Sequence, residues 1–317
     1  MKILANDGIS KVGIKKLESN NFEVLTSKIE QENLISFINK NNIEVLLVRS
    51  ATKARKELID KCPNLKIIGR GGVGMDNIDV EYAQEKGVHV INTPSSSSLS
   101  VAELVFTHFF NISRYLYDSN RKMPLEGEKK FKELKKSYSK GTELKNKTLG
   151  IIGFGKIGQE VARIGIGLGM KIIAHDKFIN KSTITISFFD NQKMNFEIKT
   201  TTLKNVLNQS DFITFHIPKN EKESLIGKKE FNMMKDGVFI VNTARGGIID
   251  ETELIQAIKN GKIQSAGLDV FENEPNPNIN ILMNDKISLS PHIGGSTIEA
   301  QERIGLELAD RIINFYI

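Results

Sequence analysis

Cysteine is nearly absent from this chain. Cys62 stands alone among 317 residues, which excludes an intramolecular disulfide and makes a reducing cytoplasm the simplest setting. Long apolar runs are missing as well. None approaches the roughly 20 residues that cross a bilayer, so no membrane partner is expected. The first residues, Met1-Lys2-Ile3-Leu4-Ala5-Asn6-Asp7, turn polar too soon for a secretory signal. Internal repeats and low-complexity tracts are lacking too. So is a basic stripe with interleaved aromatics, the mark of a nucleic-acid binder. The lysine-rich stretch from Lys129 to Lys147 comes nearest to one, and it reads as a solvated surface loop.

What remains is an ordinary globular composition, 39% hydrophobic and 26% charged, in a chain long enough for two domains. The formal net charge of +6 favours capture of anionic small molecules by steering, without identifying one. Short β-branched runs alternate with helical patterns almost throughout, which predicts βαβ units and parallel sheets. Strands are expected at Lys2–Ala5, Val45–Val48, Leu65–Ile68 and Val88–Ile91, with a helix at Gln31–Asn39. A long helix starts after Ser98 and extends to about Tyr117. A second α/β sheet then opens at Thr148–Ile152 and continues through Lys171–Ala174, Phe212–Phe215, Val238–Val241, Ser265–Leu268 and Ile287–Leu289. Ile184–Phe189 and Met194–Ile198 flank Asp190-Asn191-Gln192 as a hairpin, and Thr297–Phe315 is an amphipathic helix.

Gly153-Phe154-Gly155-Lys156-Ile157-Gly158 follows the strand Leu149–Ile152 and opens a helix. In that context Gly153 permits a tight turn, Gly155 lets backbone approach a pyrophosphate, and Gly158 lets helix pack on strand. The helix N-terminus offers free N–H groups to phosphates. Asp176, after the next strand, is placed to accept the ribose hydroxyls and to repel a 2′-phosphate, so NAD is expected rather than NADP.

Three residues farther on could carry chemistry. His292, in Ser290-Pro291-His292-Ile293-Gly294-Gly295, can exchange a hydroxyl proton. Glu274, before Pro275, can orient that ring and favour the imidazolium. Arg245, in Val241-Asn242-Thr243-Ala244-Arg245-Gly246-Gly247, can grip a carboxylate bidentately. Each has a plainer use as a structural histidine, a turn glutamate or a surface ion pair, and spacing does not show that they converge.

Taken in order, Leu149–Gly158 with Asp176, Asp211–Pro218, Val241–Asp250, Gly267–Pro275 and Pro291–Gly295 closely resemble the D-isomer-specific 2-hydroxyacid dehydrogenases. The resemblance spans nearly the whole chain. It implies catalytic roles for Arg245, Glu274 and His292, and it places Asp269 on the nicotinamide amide. Val73, His216, Ile217, Pro218, Thr243, Ala244, Gly294 and Gly295 join the fingerprint residues along the cofactor. No metal is implied. The implied fold is a Rossmann NAD-binding domain, 98–289, inserted into a flavodoxin-like substrate domain made of 1–97 and 290–317. Both are doubly wound parallel-sheet α/β domains, and a homodimer is implied.

Val48–Lys53 and Gly69–Asp79 resemble the family members that oxidise 3-phospho-D-glycerate to 3-phosphooxypyruvate, the entry to serine synthesis. That likeness gives the substrate phosphate to Arg49, Ser50 and Arg70, and the carboxylate to Val73 and Gly74 together with Arg245. Reductases of glyoxylate or hydroxypyruvate and NAD-sensing corepressors stay open as alternatives. Two departures stand out. The sequence shows no regulatory domain after the last helix, so serine feedback through one is not expected. Tyr138 stands where the family often has tryptophan, next to the unusual lysine-rich stretch.

Overall fold

The computed structural model describes residues 1–219 and 224–316. The chain forms two compact units, one of Met1–Ser100 with the chain from Gly295 onward, the other of Val101–Gly294. The first begins β1 (Lys2–Ala5), α1 (Lys11–Glu18), β2 (Glu23–Leu25), α2 (Gln31–Asn41), β3 (Val45–Val48), α3 (Lys56–Lys61), β4 (Ile67–Arg70), α4 (Val80–Glu85) and β5 (His89–Asn92). Helix α5 (Ser98–Ser113) leads into the second unit, which continues with α6 (Leu116–Ser137), β6 (Thr148–Ile152), α7 (Lys156–Gly167) and β7 (Lys171–His175). A hairpin of β8 (Lys181–Ser187) and β9 (Lys193–Lys199) precedes α8 (Leu203–Gln209), β10 (Phe212–Phe215), α9 (Lys228–Met233) and β11 (Val238–Asn242). The unit ends with α10 (Glu251–Lys259), β12 (Ile263–Leu268), α11 (Ile279–Leu282) and β13 (Ile287–Leu289), after which α12 (Ile298–Tyr316) returns to the first unit.

In the first unit the strands are parallel in the order β2-β1-β3-β4-β5, the flavodoxin-like arrangement. Every residue of β3 is buried, as befits a strand covered on both faces. Helix α12 packs on α1 through glycines. A Cβ on Gly13 would lie 2.7 Å from the Gly305 carbonyl oxygen, so neither helix tolerates a side chain there. Ile304, Leu308 and Ile312 of α12 thereby join Ile3, Val45, Leu47 and Ile67 in one core.

The second unit carries a six-stranded parallel sheet, β13-β12-β11-β10-β6-β7, with helices on both faces. On one face Val105, Phe106 and Phe109 of α5 pack against Leu149, Phe212 and Val241. The rings of Phe109 and Phe212 meet edge-on at 5.2 Å. Strand order reverses between β1 and β3 in one sheet and between β6 and β10 in the other. At such switch points loops leave in opposite directions and open a crevice for ligands.

Several expectations are corrected. The lysine-rich stretch is not a loop up to Ser137, because α6 covers Lys129–Lys136 with a kink at Lys130 (φ −120°, ψ 25°). Lysine and glutamate are good helix formers, and Asp118–Lys122 and Glu126–Lys130 add ion pairs four residues apart. The long helix expected to reach Tyr117 stops at Ser113, and Tyr115 takes a left-handed conformation (φ 56°) before α6 starts. Phe188 and Phe189 fall in the hairpin turn rather than the strand. The chain passes between the two units at 100/101 and at 294/295, and Asp269 accepts hydrogen bonds from the N–H groups of His292, Ile293 and Gly294, which binds that loop to the second unit.

Candidate active site

The glycine fingerprint sits at the switch point of the second unit. Gly153 takes φ +94°, and a Cβ there would lie 2.4 Å from the His216 carbonyl oxygen, so both its conformation and its neighbour demand glycine. A Cβ on Gly158 would strike the Gly153 carbonyl oxygen at 2.2 Å, while one on Gly155 would meet nothing within 4 Å. The space over Gly155 is thus kept open at the N-terminus of α7, whose cap supplies no side-chain acceptor. That is the form of a phosphate cradle.

Asp176 follows β7 beside it. Its Oδ2 accepts from Phe154 N–H at 2.7 Å, and its Oδ1 from Phe178 and Ile179 N–H at 2.8 and 3.0 Å. Partial burial pushes this carboxyl up, and the three N–H donors outweigh it, so the net pKa is lowered and the group is charged at neutral pH. Across the switch point, His216 Nδ1 and Thr243 Oγ1 are buried and without a hydrogen-bond partner among the described residues. Burial lowers the His216 pKa to about 3, so its ring is neutral. Buried polar atoms ordinarily find partners, and these two are available to a ligand over the fingerprint. Open cradle, carboxylate and orphaned donors fit a dinucleotide. Ile217 and Pro218 continue from β10, and Ala244 N–H is held by Asn242 Oδ1 at 3.1 Å.

Arg245, Glu274 and His292 lie beyond the carboxyl ends of β11, β12 and β13, three neighbouring strands of one parallel sheet. Parallel pairing therefore delivers them to the same edge. Glu274 Oε2 meets His292 Nδ1 at 2.9 Å, and its Oε1 is fixed by Phe271 N–H at 3.1 Å. His292 itself is left-handed, with φ 56°, and its N–H donates to the Asp269 carbonyl at 2.8 Å. Arg245 Nη1 donates to the Ala244 carbonyl at 2.7 Å, and Asn242 Nδ2 holds the Arg245 carbonyl at 2.9 Å. Because a carboxylate only accepts, His292 Nδ1 carries a proton toward Glu274, which leaves Nε2 as the basic nitrogen of the neutral ring.

Asp269 is fully buried. Its Oδ1 accepts from Ser290 Oγ at 2.6 Å and Ile293 N–H at 2.9 Å, and its Oδ2 from Gly294 N–H at 2.9 Å. Burial raises its pKa, against the pull of these donors.

In the first unit, Arg49 and Ser50 follow β3 at the switch point and Arg70 ends the adjacent β4, where Val48 pairs with Arg70. The Arg49 guanidinium has no hydrogen-bond or ion-pair partner among the described residues. Its backbone is held instead: Arg49 N–H donates to Asp7 Oδ2 at 2.7 Å, and Asn77 Nδ2 reaches the Arg49 carbonyl at 2.8 Å. Lys28 and Thr52 occupy the other Asp7 oxygen at 2.6 and 2.7 Å. Sequence reasoning missed Asp7 and Asn77. An acidic residue directly after the first strand of a switch point was the available signal. The N–H groups of Val73 and Gly74 have no acceptor among the described residues. Gly295 begins the return of the chain to this unit.

The chain matches the model of the D-isomer specific 2-hydroxyacid dehydrogenase NAD binding domain over residues 106–294. It is 41% identical to a hydroxypyruvate reductase of Thermotoga maritima, covering 98% of this chain and 97% of that protein. It is 38% identical to a D-3-phosphoglycerate dehydrogenase of Archaeoglobus fulgidus, covering 99% of this chain but only 57% of that protein's length. Among solved structures it is similar to an NAD+-bound 3-phosphoglycerate dehydrogenase of Entamoeba histolytica, with a TM-score of 0.77, 28% identity, and 100% and 95% of the two chains covered.

Proposed function

The chain belongs to the D-isomer-specific 2-hydroxyacid dehydrogenase family, and from that premise we propose that this NAD-dependent enzyme is a D-3-phosphoglycerate dehydrogenase, oxidising 3-phospho-D-glycerate to 3-phosphooxypyruvate at the head of serine synthesis. The observation that carries the substrate is Arg49, a guanidinium at the switch point beside Arg70 that has no partner among the described residues. An ion pair serving only the fold would have its carboxylate, whereas Asp7, which holds the Arg49 backbone, is already engaged by Thr52 and Lys28. Arg49, Arg70 and Ser50 are the phosphate ligands in this reading. Arg245 takes the carboxylate.

The fingerprint from Gly153 to Gly158, Asp176, His216–Pro218, Thr243, Ala244 and Gly294–Gly295 hold the cofactor. When bound, NAD supplies the acceptor for the two electrons and hydrogen leaving C2. His292 Nε2 takes the C2 hydroxyl proton and returns it in the reverse direction. Glu274 keeps the ring in the Nδ1–H form and stabilises the imidazolium that results. Arg245 polarises the carboxylate end. Among the described residues no helix is long and apolar enough to cross a membrane. With Cys62 buried and alone, we place the enzyme in the cytoplasm. The homodimer is proposed from its family.

A second reading, reduction of hydroxypyruvate or glyoxylate, is favoured by the Thermotoga relative, which this chain matches over 97% of its length. Rates on 3-phosphooxypyruvate, hydroxypyruvate and glyoxylate with NADH separate the two. Arg49→Met and Arg70→Met are expected to lower kcat/KM for the phosphorylated acid by roughly 30-fold or more, the cost of stripping one partner from a buried charge pair, and to spare the others. A wild-type preference for glyoxylate or hydroxypyruvate would replace the first reading with the second.

A further inference from the structure

Behind the His292 loop, α5 contributes a buried histidine that the mechanism above does not use. His108 Nε2 lies 2.9 Å from Ser290 Oγ and its Nδ1 lies 3.0 Å from Ser288 Oγ. Asn111 Nδ2 donates to the same Ser288 Oγ at 3.2 Å. Strand β12 admits the imidazole only because it carries glycine there, since a Cβ on Gly267 would come within 2.7 Å of His108 Cβ.

The direction of every bond follows from one end. Ionised Asp269 can only accept, so the Ser290 hydroxyl proton points at Oδ1. The remaining role of Ser290 Oγ toward His108 is acceptor, which requires a proton on Nε2. Burial lowers the His108 pKa to about 4, so the ring holds a single proton and Nδ1 is an acceptor. Ser288 must then donate to Nδ1 and accept from Asn111. The hydrogen bonds run unbroken from Asn111 through His108 to Asp269, whose carboxylate holds the N–H groups of Ile293 and Gly294.

We propose that His108 is a positioning residue for the acid/base loop: as the Nε2–H tautomer it orients Ser290 onto Asp269, and Asp269 in turn fixes the left-handed backbone that aims His292. The role rests on His292 being the acid/base group. The wiring does not. A non-glycine residue at φ 56° needs such support, because its backbone would otherwise relax. An apolar side chain at position 108 would fill the same space and break this chain of bonds.

Histidine-selective 15N labelling of the whole protein, with long-range proton–nitrogen correlation, reads the tautomer directly. The His108 signals are those lost in His108→Phe. Between pH 6 and 8 the expected pattern is a protonated, pyrrole-type Nε2 and a bare Nδ1. A proton on Nδ1 overturns the wiring. In turnover of whichever acid the wild type prefers, His108→Phe should lower kcat about 10-fold with little change in substrate KM, the scale of lost outer-sphere support. His108→Gln, which keeps a donor toward Ser290 and an acceptor toward Ser288, should recover most of it. If His108→Phe does not fold, Ser290→Ala breaks the same link without touching α5 and should show the same loss. Wild-type rates in His108→Phe and Ser290→Ala, or equal losses in His108→Phe and His108→Gln, would reduce His108 to packing. A protein that turns over no 2-hydroxy acid sinks the proposed function instead, so the two failures are told apart.

Discussion

Asp176 does two jobs at once. Its carboxylate ties the fingerprint turn to the loop after β7 through Phe154, Phe178 and Ile179, and it is the residue we assign to the cofactor's ribose. Asp176→Ala should therefore raise kcat/KM with NADP relative to NAD, by about 10-fold or more for a removed charge repulsion. It should also lower the melting temperature, because three backbone donors lose a charged acceptor, a bond worth roughly 1.5–3 kcal/mol to each before local water compensates. Steady-state kinetics with both cofactors and a melting curve read the two effects separately. An unchanged cofactor ratio with a lowered melting temperature would leave Asp176 a purely structural residue. The motif spacing made Asp176 legible, because a fixed turn, helix and strand lie between it and the glycines. The donors it accepts from were not legible, since backbone N–H direction depends on the loop's folded path.

Helix α6 shows how an element can be misjudged by its charge. Between its lysines it exposes Leu116, Met123, Leu125 and Phe131, Leu125 at 83% and Phe131 at 57%. A homodimer contact on this helix is a reading that the exposed groups permit and that substitution can test. If α6 is the homodimer contact, Leu125→Glu with Phe131→Glu should shift the protein to monomer in sedimentation velocity, with each unit's fold intact by circular dichroism. A dimer that survives both substitutions assigns the contact elsewhere. The lysines read as a loop because charge density was weighed above helix propensity. The strands were easier: β3, β10 and β11 are buried throughout and apolar but for Thr214 and Asn242, as parallel strands covered on both faces require.

At the scale of the molecule, two buried histidines of the second unit set a pH dependence. His108 and His216 ordinarily titrate near 6.5 and are lowered by burial to about 4 and about 3. Below 6.5 the unfolded chain binds protons that the folded unit refuses. Their contribution to stability is thus complete above pH 6.5 and is lost as pH falls toward the folded values, at up to about 1.4 kcal/mol per pH unit for each. Asp269 and Glu251, whose pKa values burial raises, act in the opposite sense in acid. Calorimetry from pH 7 to 4.5 should show a falling transition temperature, with a shallower slope in His108→Gln. Equal slopes in the two proteins would mean that His108 is not held neutral.

By itself the sequence determined the parallel α/β class of both sheets and the glycine fingerprint, through local periodicity and turns that need glycine. Arg245, Glu274 and His292 were singled out by the resemblance to the family, since each has a plainer use when taken alone. Only the tertiary structure decided that Glu274 meets His292 Nδ1, because that contact depends on β12 and β13 being parallel neighbours. The same holds for Arg49, whose guanidinium has no partner among the described residues while Asp7 is taken by backbone, Thr52 and Lys28. It holds for His108 too, whose helical spacing marks it as one more core position while its serine partners lie 180 and 182 residues away. Pairing over such distances is set by sheet order and register, which no local pattern encodes.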